Sequence, residues 1–451
     1  MKKAIITLIL AAVVLTTPAT AKYSGGTGEP NAPYQIADAN DLLAFAADTN
    51  DHDKYIILIA DINLADQNFT GPVISGFSGN FNGNNHTISN ITTDDGYSST
   101  ELGFFGSISN AVIENLNLNN INAYSYGSNY LGGLADTSDN STINNCSVTG
   151  SINTSAFYAG GLVGQNINGQ INNCSFQGSV TNRYYAAGGL VGINRPDSNI
   201  TNCFSNCYVE GRNRIGGLVG SNYGYISNCF ATGDVNTLSD SINAGGFAAQ
   251  NSGEILNSAC IVNINCLDGI NVAGGFVGIN YSNYEYSNKW PGIIKNCYCQ
   301  STITANNALQ IGGFAGNSGG DKNNPTDPSY ASGKCVIEDC YSASTITLDD
   351  YTIDAGGFAG ANFDSQISGC YWDRDILTPQ ITQSIAYDVN STTENLLPLT
   401  TAQMKDKTSF VGWDFINVWD IGENQTYPFL RRYQAADLNH DGIVNIIDFA
   451  I

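Results

Sequence analysis

Eight glycine pairs recur along the middle of this chain, and their spacing leaves few folds open. The first glycine of each pair is Gly132, Gly160, Gly188, Gly216, Gly245, Gly274, Gly312 or Gly356. The first five steps are 28 or 29 residues, and the last two, 38 and 44, carry insertions. Leu or Phe follows each pair, then a small or β-branched residue and usually a further Gly, as in GGLVGQN, GGLVGIN and GGFAGAN. A second signature follows in each repeat: INNCSVTG, INNCSFQG, ITNCFSNC, ISNCFATG, IKNCYCQS, IEDCYSAS, ISGCYWDR. A fixed period of about 20–50 residues marks a solenoid, propeller or array. A propeller blade needs about 40–45 residues for its four strands, more than this unit offers. The short β-type runs show no 3.6-residue periodicity. The unit fits one coil of a parallel β-helix, in which like positions stack about 4.8 Å apart. The expected fold is therefore all-β: a parallel β-helix (β-solenoid) of roughly 28-residue coils.

That fold assigns places to the recurring residues. Ile, Leu/Phe and Val line the interior. Asn145, Asn173, Asn202, Asn228 and Asn296 sit at a bend, where stacked amides bond along the axis. The glycines supply backbone angles and close approaches that a Cβ forbids. Cys146, Cys174, Cys203, Cys229, Cys297, Cys340 and Cys370 share one repeat position and form an inward ladder of small apolar side chains. Cys207, Cys260, Cys266, Cys299 and Cys335 fall off that ladder and are candidates for local bridges, subject to geometry. No Cys-x-x-Cys pair has a histidine partner, so metal clustering is not expected.

The residue after the ladder cysteine is aromatic in Phe204, Phe230, Tyr298, Tyr341 and Tyr371. With cysteine inward, period-two alternation turns these rings outward in a row. Such a row, with Trp372 beside it, is a candidate surface for stacking sugars or meeting a partner. Mutual stacking that stiffens the solenoid is the alternative.

These motifs resemble the GLUG-motif repeat family of secreted and surface bacterial proteins, whose Gly-Leu-x-Gly core stands here at Gly161-Leu162-Val163-Gly164 and Gly217-Leu218-Val219-Gly220. The resemblance covers roughly residues 100–375. YQIADANDLLAFAAD and FSGNFNGNNHTISNI are similar to the leading segment of such proteins, and LTTAQMKDKTSFVGWDFINVWDIGENQTYPFLR to their closing segment. It implies a β-helical, often adhesive, extracellular protein and no particular reaction. Solenoid ends expose core and strand edges that must be covered. A short capping helix is expected over Asp38 to Asp48, with Leu42, Leu43, Phe45 and Ala46 available to plug one end. Trp413, Phe415, Trp419 and Phe429 are expected to cover the other.

The termini carry further signals. Met1-Lys2-Lys3, the apolar run Ala4 to Leu15 and Ala19-Thr20-Ala21 read as a Sec-type signal peptide, too short to span a bilayer. The mature chain is expected at the cell surface or outside the cell, with no transmembrane span. At the other end, Asp437, Asn439, Asp441, Gly442, Asn445 and Asp448 fall at positions 1, 3, 5, 6, 9 and 12 of an EF-hand-like calcium loop, with Ile443 giving its carbonyl. Ca2+ is the expected ligand. DLNHDGIVNIID followed by FAI resembles the first half of a dockerin, which implies a cohesin-like scaffold partner. Ile446 and Ile447 replace the usual Ser-Thr-like recognition pair, and the missing second half predicts that the chain continues beyond Ile451. The expected domains are 1–21, signal peptide; 22–100, N-terminal cap and first coils; 101–375, GLUG-type repeats; 376–433, closing segment; and 434–451, partial dockerin-like loop.

Charge and motifs narrow the function. Seventeen basic residues against 40 acidic ones give a net charge of −23, a poor match for nucleic acid. Pectinase-like clusters of acids with His-Gly and Arg-x-Lys elements do not occur. Neither does His-Glu-x-x-His or Gly-x-Ser-x-Gly. Asp94-Asp95 and Asp349-Asp350 read as solvated loop acids, and Asp373 and Asp375 in YWDRD as part of an aromatic cap. Three readings follow. One is a non-catalytic solenoid for adhesion or carbohydrate contact, tethered by its dockerin-like tail. A second is a component of a polysaccharide-degrading, cellulosome-like complex, with a glycoside hydrolase or lyase site of divergent form. The third is a purely structural stalk.

Overall fold

The structure, a computed structural model, describes residues 22–94, 96, 101–238, 241–266, 270–282, 291–319, 334–349 and 352–431. The signal-peptide segment and the calcium-loop residues Asp437, Asn439, Asp441, Ile443, Asn445 and Asp448 lie outside them. One coil shows the plan. Thr142–Asn144, Ser147–Thr154, Tyr158–Gly160 and Val163–Ile167 are short strands joined by bends. Each pairs in parallel with its counterparts in the coils before and after. Stacking builds four walls, here called I to IV, of 13, 14, 8 and 10 strands. The chain is a parallel β-solenoid. Wall I runs from Tyr34–Ile36 to Thr392–Glu394, past both ends of the glycine repeats. The two insertions leave register intact: Ile255 pairs with Ile294, and Ile294 with Ile337.

The interior is a set of columns. Ile143, Ile171, Ile200, Ile226, Ile255, Ile294, Ile337 and Ile367 occupy one inward position of wall I, none more than 1% exposed. After the later glycine pairs, Phe247, Phe276, Phe314 and Phe358 stack nearly parallel with centroids 4.7–4.9 Å apart. Each buried side chain of this size is worth about 1.5–3 kcal/mol.

The glycines and asparagines divide the labour differently from the expectation. None of the paired glycines has a positive φ. Their requirement is space, because walls III and IV fold closely against each other at the pair. A Cβ on Gly160 would lie 2.2 Å from the Val163 carbonyl oxygen, and one on Gly189 2.0 Å from that of Gly217. The left-handed conformation falls instead on Asn145, Asn173, Asn202, Asn228, Asn257 and Asn296, at φ of 46–57°, where Asn is tolerated better than most residues. Their amides bond along the axis: Asn145 to Asn115 at 3.1 Å, Asn173 to Asn145 at 2.5 Å, Asn296 to Asn257 at 3.1 Å. A second asparagine ladder runs through the interior. Asn166, Asn194, Asn222, Asn251 and Asn280 are at most 1% exposed, and each amide donates to the next at 2.8–3.0 Å.

The seven ladder cysteines point inward and are buried. Backbone N–H groups of Cys174, Cys203 and Cys297 donate to the sulfur of the following rung at 3.4 Å. Ser258 fills the rung between Cys229 and Cys297, its hydroxyl accepting from Cys229 N at 3.1 Å. The local bridges expected through Cys207, Cys260, Cys266, Cys299 and Cys335 do not form: all twelve cysteines are buried free thiols. Cys260 and Cys299 instead face the glycine bends and donate to the Gly275 and Gly313 carbonyls, each at 3.1 Å.

Near the N-terminus, Ala39–Ala47 is helical, with the Asp38 carboxylate accepting from Asn40 and Asp41 N–H. Leu42 and Phe45 are buried, and Phe45 meets Phe77 and Phe81 of the first coils. Among the described residues no helix is long and apolar enough to cross a membrane.

Two outcomes follow. Gly189→Ala drives a Cβ into backbone, so a thermal melt should show a loss of about 1–3 kcal/mol, with an unchanged melt counting against the close-approach account. Burial pushes the Cys174 and Cys203 thiols up, so the ladder cysteines should resist iodoacetamide in the native protein and react only after unfolding, as counted by mass spectrometry.

Candidate functional site

The aromatic row has the expected register and a different environment. Phe204 aligns with Phe230, Tyr298 with Tyr341, and Tyr341 with Tyr371. The rings do turn away from the core, but they are not exposed: Phe204 is 7%, Phe230 4%, Tyr298 6%, Tyr341 0% and Tyr371 1% accessible. The closing segment, expected across the end of the solenoid, lies along this outer face of wall II. Leu399, Met404, Phe410, Trp413, Phe415, Trp419 and Leu430 join the row in one apolar cluster. Trp419 stacks on Trp413 at 4.3 Å and meets Tyr298 and Tyr341, each at 6.1 Å. The Tyr341 hydroxyl donates to the Pro428 carbonyl at 2.7 Å.

Trp372 points into the core, where its Nε1 donates to Ser384 at 2.9 Å. It is a packing residue, not a contact for a ligand. Asp373, from the same YWDRD stretch, is 1% exposed. One of its oxygens accepts from Tyr427 and Thr401 hydroxyls, both at 2.7 Å, and the other from Asp375 N–H at 2.9 Å. These acids clamp the closing segment.

A different face gathers polar and aromatic groups. At each glycine bend, the residue two before the pair and the residue five after its first glycine lie on facing columns of walls III and IV. The wall III column reads Tyr130, Tyr158, Ala186, Arg214, Asn243, Val272, Gln310, Asp354. The wall IV column reads Thr137, Gln165, Ile193, Ser221, Gln250, Ile279, Asn317, Ala361. The two columns touch, as the 2.9 Å bond from the Asn317 amide to Gln310 shows.

Tyrosines and arginines gather over this seam. Tyr130 and Tyr158 stack at 5.9 Å and 10°, and Tyr185 meets Tyr158 edge-on at 5.6 Å. Arg195 lies 5.9 Å over Tyr158, and Arg214 4.7 Å over Tyr185. With the Gln165 amide turned so that its oxygen faces Arg195, it accepts from Nε at 2.7 Å and Nη2 at 3.0 Å. Tyr223 and Tyr281 share a 3.2 Å hydroxyl contact, and Tyr281 donates to Gln250 at 3.4 Å. Burial, the leading cause, pushes the Tyr158 phenol up to about 12, so it remains a neutral donor at physiological pH. Phe157 and Tyr184 stand at the rim, 45% and 50% exposed. Flat rings beside amide and guanidinium groups are suited to hold a sugar's faces and hydroxyls. The signal for this seam lay in the positions flanking the glycines, which vary too much in residue type to show as a repeat.

Comparison with known proteins agrees with the repeat pattern. The model described as "The GLUG motif" matches residues 155–181 and 211–236. The chain carries GLUG-motif repeats. Halomucin of Haloquadratum walsbyi is 32% identical over 151 residues, 30% of this chain and 2% of its own length. A protein of Evansella cellulosilytica, provisionally named a Gly-rich membrane protein, is 28% identical over 136 residues, 24% of this chain and 16% of its own. This GLUG-repeat chain thus spans a small fraction of either relative. Among solved structures, a provisionally assigned immunoglobulin A1 protease from Bacteroides ovatus aligns with a TM-score of 0.41 and 19% identity, covering 91% of this chain and 95% of that one.

Trp419 is 0% exposed and central to the closing segment's contact. Trp419→Ala should cost about 3–5 kcal/mol locally and open residues 400–431 to limited proteolysis, while the solenoid remains resistant. Cleavage spread evenly along the chain would count against a separately docked segment.

Proposed function

We propose that this protein is a non-catalytic β-solenoid that makes contact with carbohydrate through the seam between walls III and IV. One observation carries the reading: several coils place tyrosine rings, amides and guanidinium groups on one continuous face. A rigid stack holds these groups at fixed spacing, so a repeating polymer meets them without a large ordering cost. Asp373 and Asp375 serve the closing segment.

In this reading the helix Ala39–Ala47 shields the first coils and the closing segment braces wall II. The N-terminal segment exports the chain, and the tail, by its resemblance to half a dockerin, tethers it through Ca2+ to a cohesin-like scaffold at the cell surface. Those parts rest on the sequence motifs alone.

Affinity electrophoresis of the full chain through a panel of polysaccharides tests the reading. At least one polymer should retard the protein, and Tyr130→Ala with Tyr158→Ala should reduce retardation about tenfold, as expected from losing a stacked pair. A chain retarded by none of the panel is a stalk, and the reading fails.

A further inference from the structure

We propose that Arg214 and Asn243 form a carboxylate-binding subsite, so that the seam takes an acidic saccharide with a uronate-type carboxylate in preference to a neutral one. This deepens the carbohydrate reading and rests on it.

The first support is an arginine without its usual partner. Arg214 is half-buried and stacked on Tyr185 at 4.7 Å, and the phenols of Tyr223, Tyr281 and Tyr158 act on its charge. Its guanidinium has no carboxylate or hydrogen-bond acceptor among the described residues. In a chain with 40 acidic residues against 17 basic ones, a carboxylate partner was readily available. Stacking on Tyr185 holds the planar fork in place and leaves its edge free, the geometry that takes a carboxylate through two parallel bonds.

The second support is independent. Asn243, the next residue along the same column, is 1% exposed, and neither its amide oxygen nor its amide nitrogen has a partner. The Ser221 hydroxyl, facing Arg214 across the seam, is also buried and unpaired. Each such group is costly if left unsatisfied. Other buried amides of this fold, such as Asn166, Asn317 and Asn362, leave one atom unpaired, whereas Asn243 leaves both, and its place next to Arg214 in the column marks a site where bonds are completed from outside. Neighbouring tyrosines are already committed: Tyr223 to Tyr281, and Tyr281 to Gln250.

Charge distribution agrees. Four of the chain's seven arginines, Arg183, Arg195, Arg212 and Arg214, lie within residues 140–233, which hold only two acids, Asp197 and Glu210. A chain of net charge −23 thus has a locally cationic stretch around this seam, which draws an anion there and nowhere near the acidic remainder.

The test uses the full chain with three probes: a galacturonic acid oligomer, its methyl ester and a sulfated galactan, titrated by calorimetry. The acid should bind about tenfold or more tightly than the ester, the scale of one charge-assisted pair. Arg214→Gln should abolish that preference, Arg214→Lys should restore part of it, and Asn243→Ala should weaken the acid. The acid–ester comparison on the unaltered chain needs no variant to fold, and circular dichroism melts check those that are made. Equal affinity for acid and ester, or a preference that survives Arg214→Gln, overturns the subsite and leaves the carbohydrate reading standing. Tighter binding of the sulfated galactan overturns the choice of carboxylate. No binding of any probe, together with no retardation across the polysaccharide panel, removes both.

Discussion

Backbone meeting backbone at the glycine bends is the contact on which the rest depends. Walls III and IV turn back on each other so tightly that the chain itself occupies the place of side chains. Once that distance is set, the following Leu or Phe must enter the core, and the flanking residues must come out on facing columns. The coil perimeter is then fixed, and every other position stacks on its own kind. Inward stacking rewards identity: isoleucine on isoleucine, phenylalanine on phenylalanine, cysteine on cysteine. Outward stacking is free to vary, and there the coils differ.

The asparagines play the complementary part. A bend needs a left-handed residue, and a ladder needs a side chain that both donates and accepts; Asn satisfies both at Asn145 and Asn173. The interior ladder from Asn166 to Asn280 does the same where water cannot reach. Buried amides that would each be costly alone become a continuous polar rod when every one is paired. Asn243, buried and unpaired one wall away, stands out against that background.

The period, the inward cysteines and the Asn bends were legible because they depend only on local repetition. Phe204 to Tyr371 were legible in register and direction, but their cover was not. Whether a sheet's outer face meets water depends on a segment such as residues 400–431, whose docking no periodicity encodes. Trp372 was misplaced for a related reason: one residue past the aromatic row, alternation returns the side chain to the core, and a cluster of aromatics hid that parity. The glycines were assigned the right residue type for only half the right reason, since their φ values are ordinary and their crowding comes from the carbonyl three residues on for the first of a pair and from the next coil for the second. The seam escaped notice because Tyr158, Ala186, Arg214 and Asn243 share a position and little chemistry.

In all four walls the ladder hydrogen bonds run along the solenoid axis. Tension applied to the two ends therefore loads the rungs in series, and the terminal coil gives way before its neighbours feel the strain. Each coil that peels away frees about 28 residues, roughly 95 Å of extended chain, at modest force. A molecule of this build pulled lengthwise behaves as a shock absorber, yielding by increments, whereas a sideways load is shared by many coils at once.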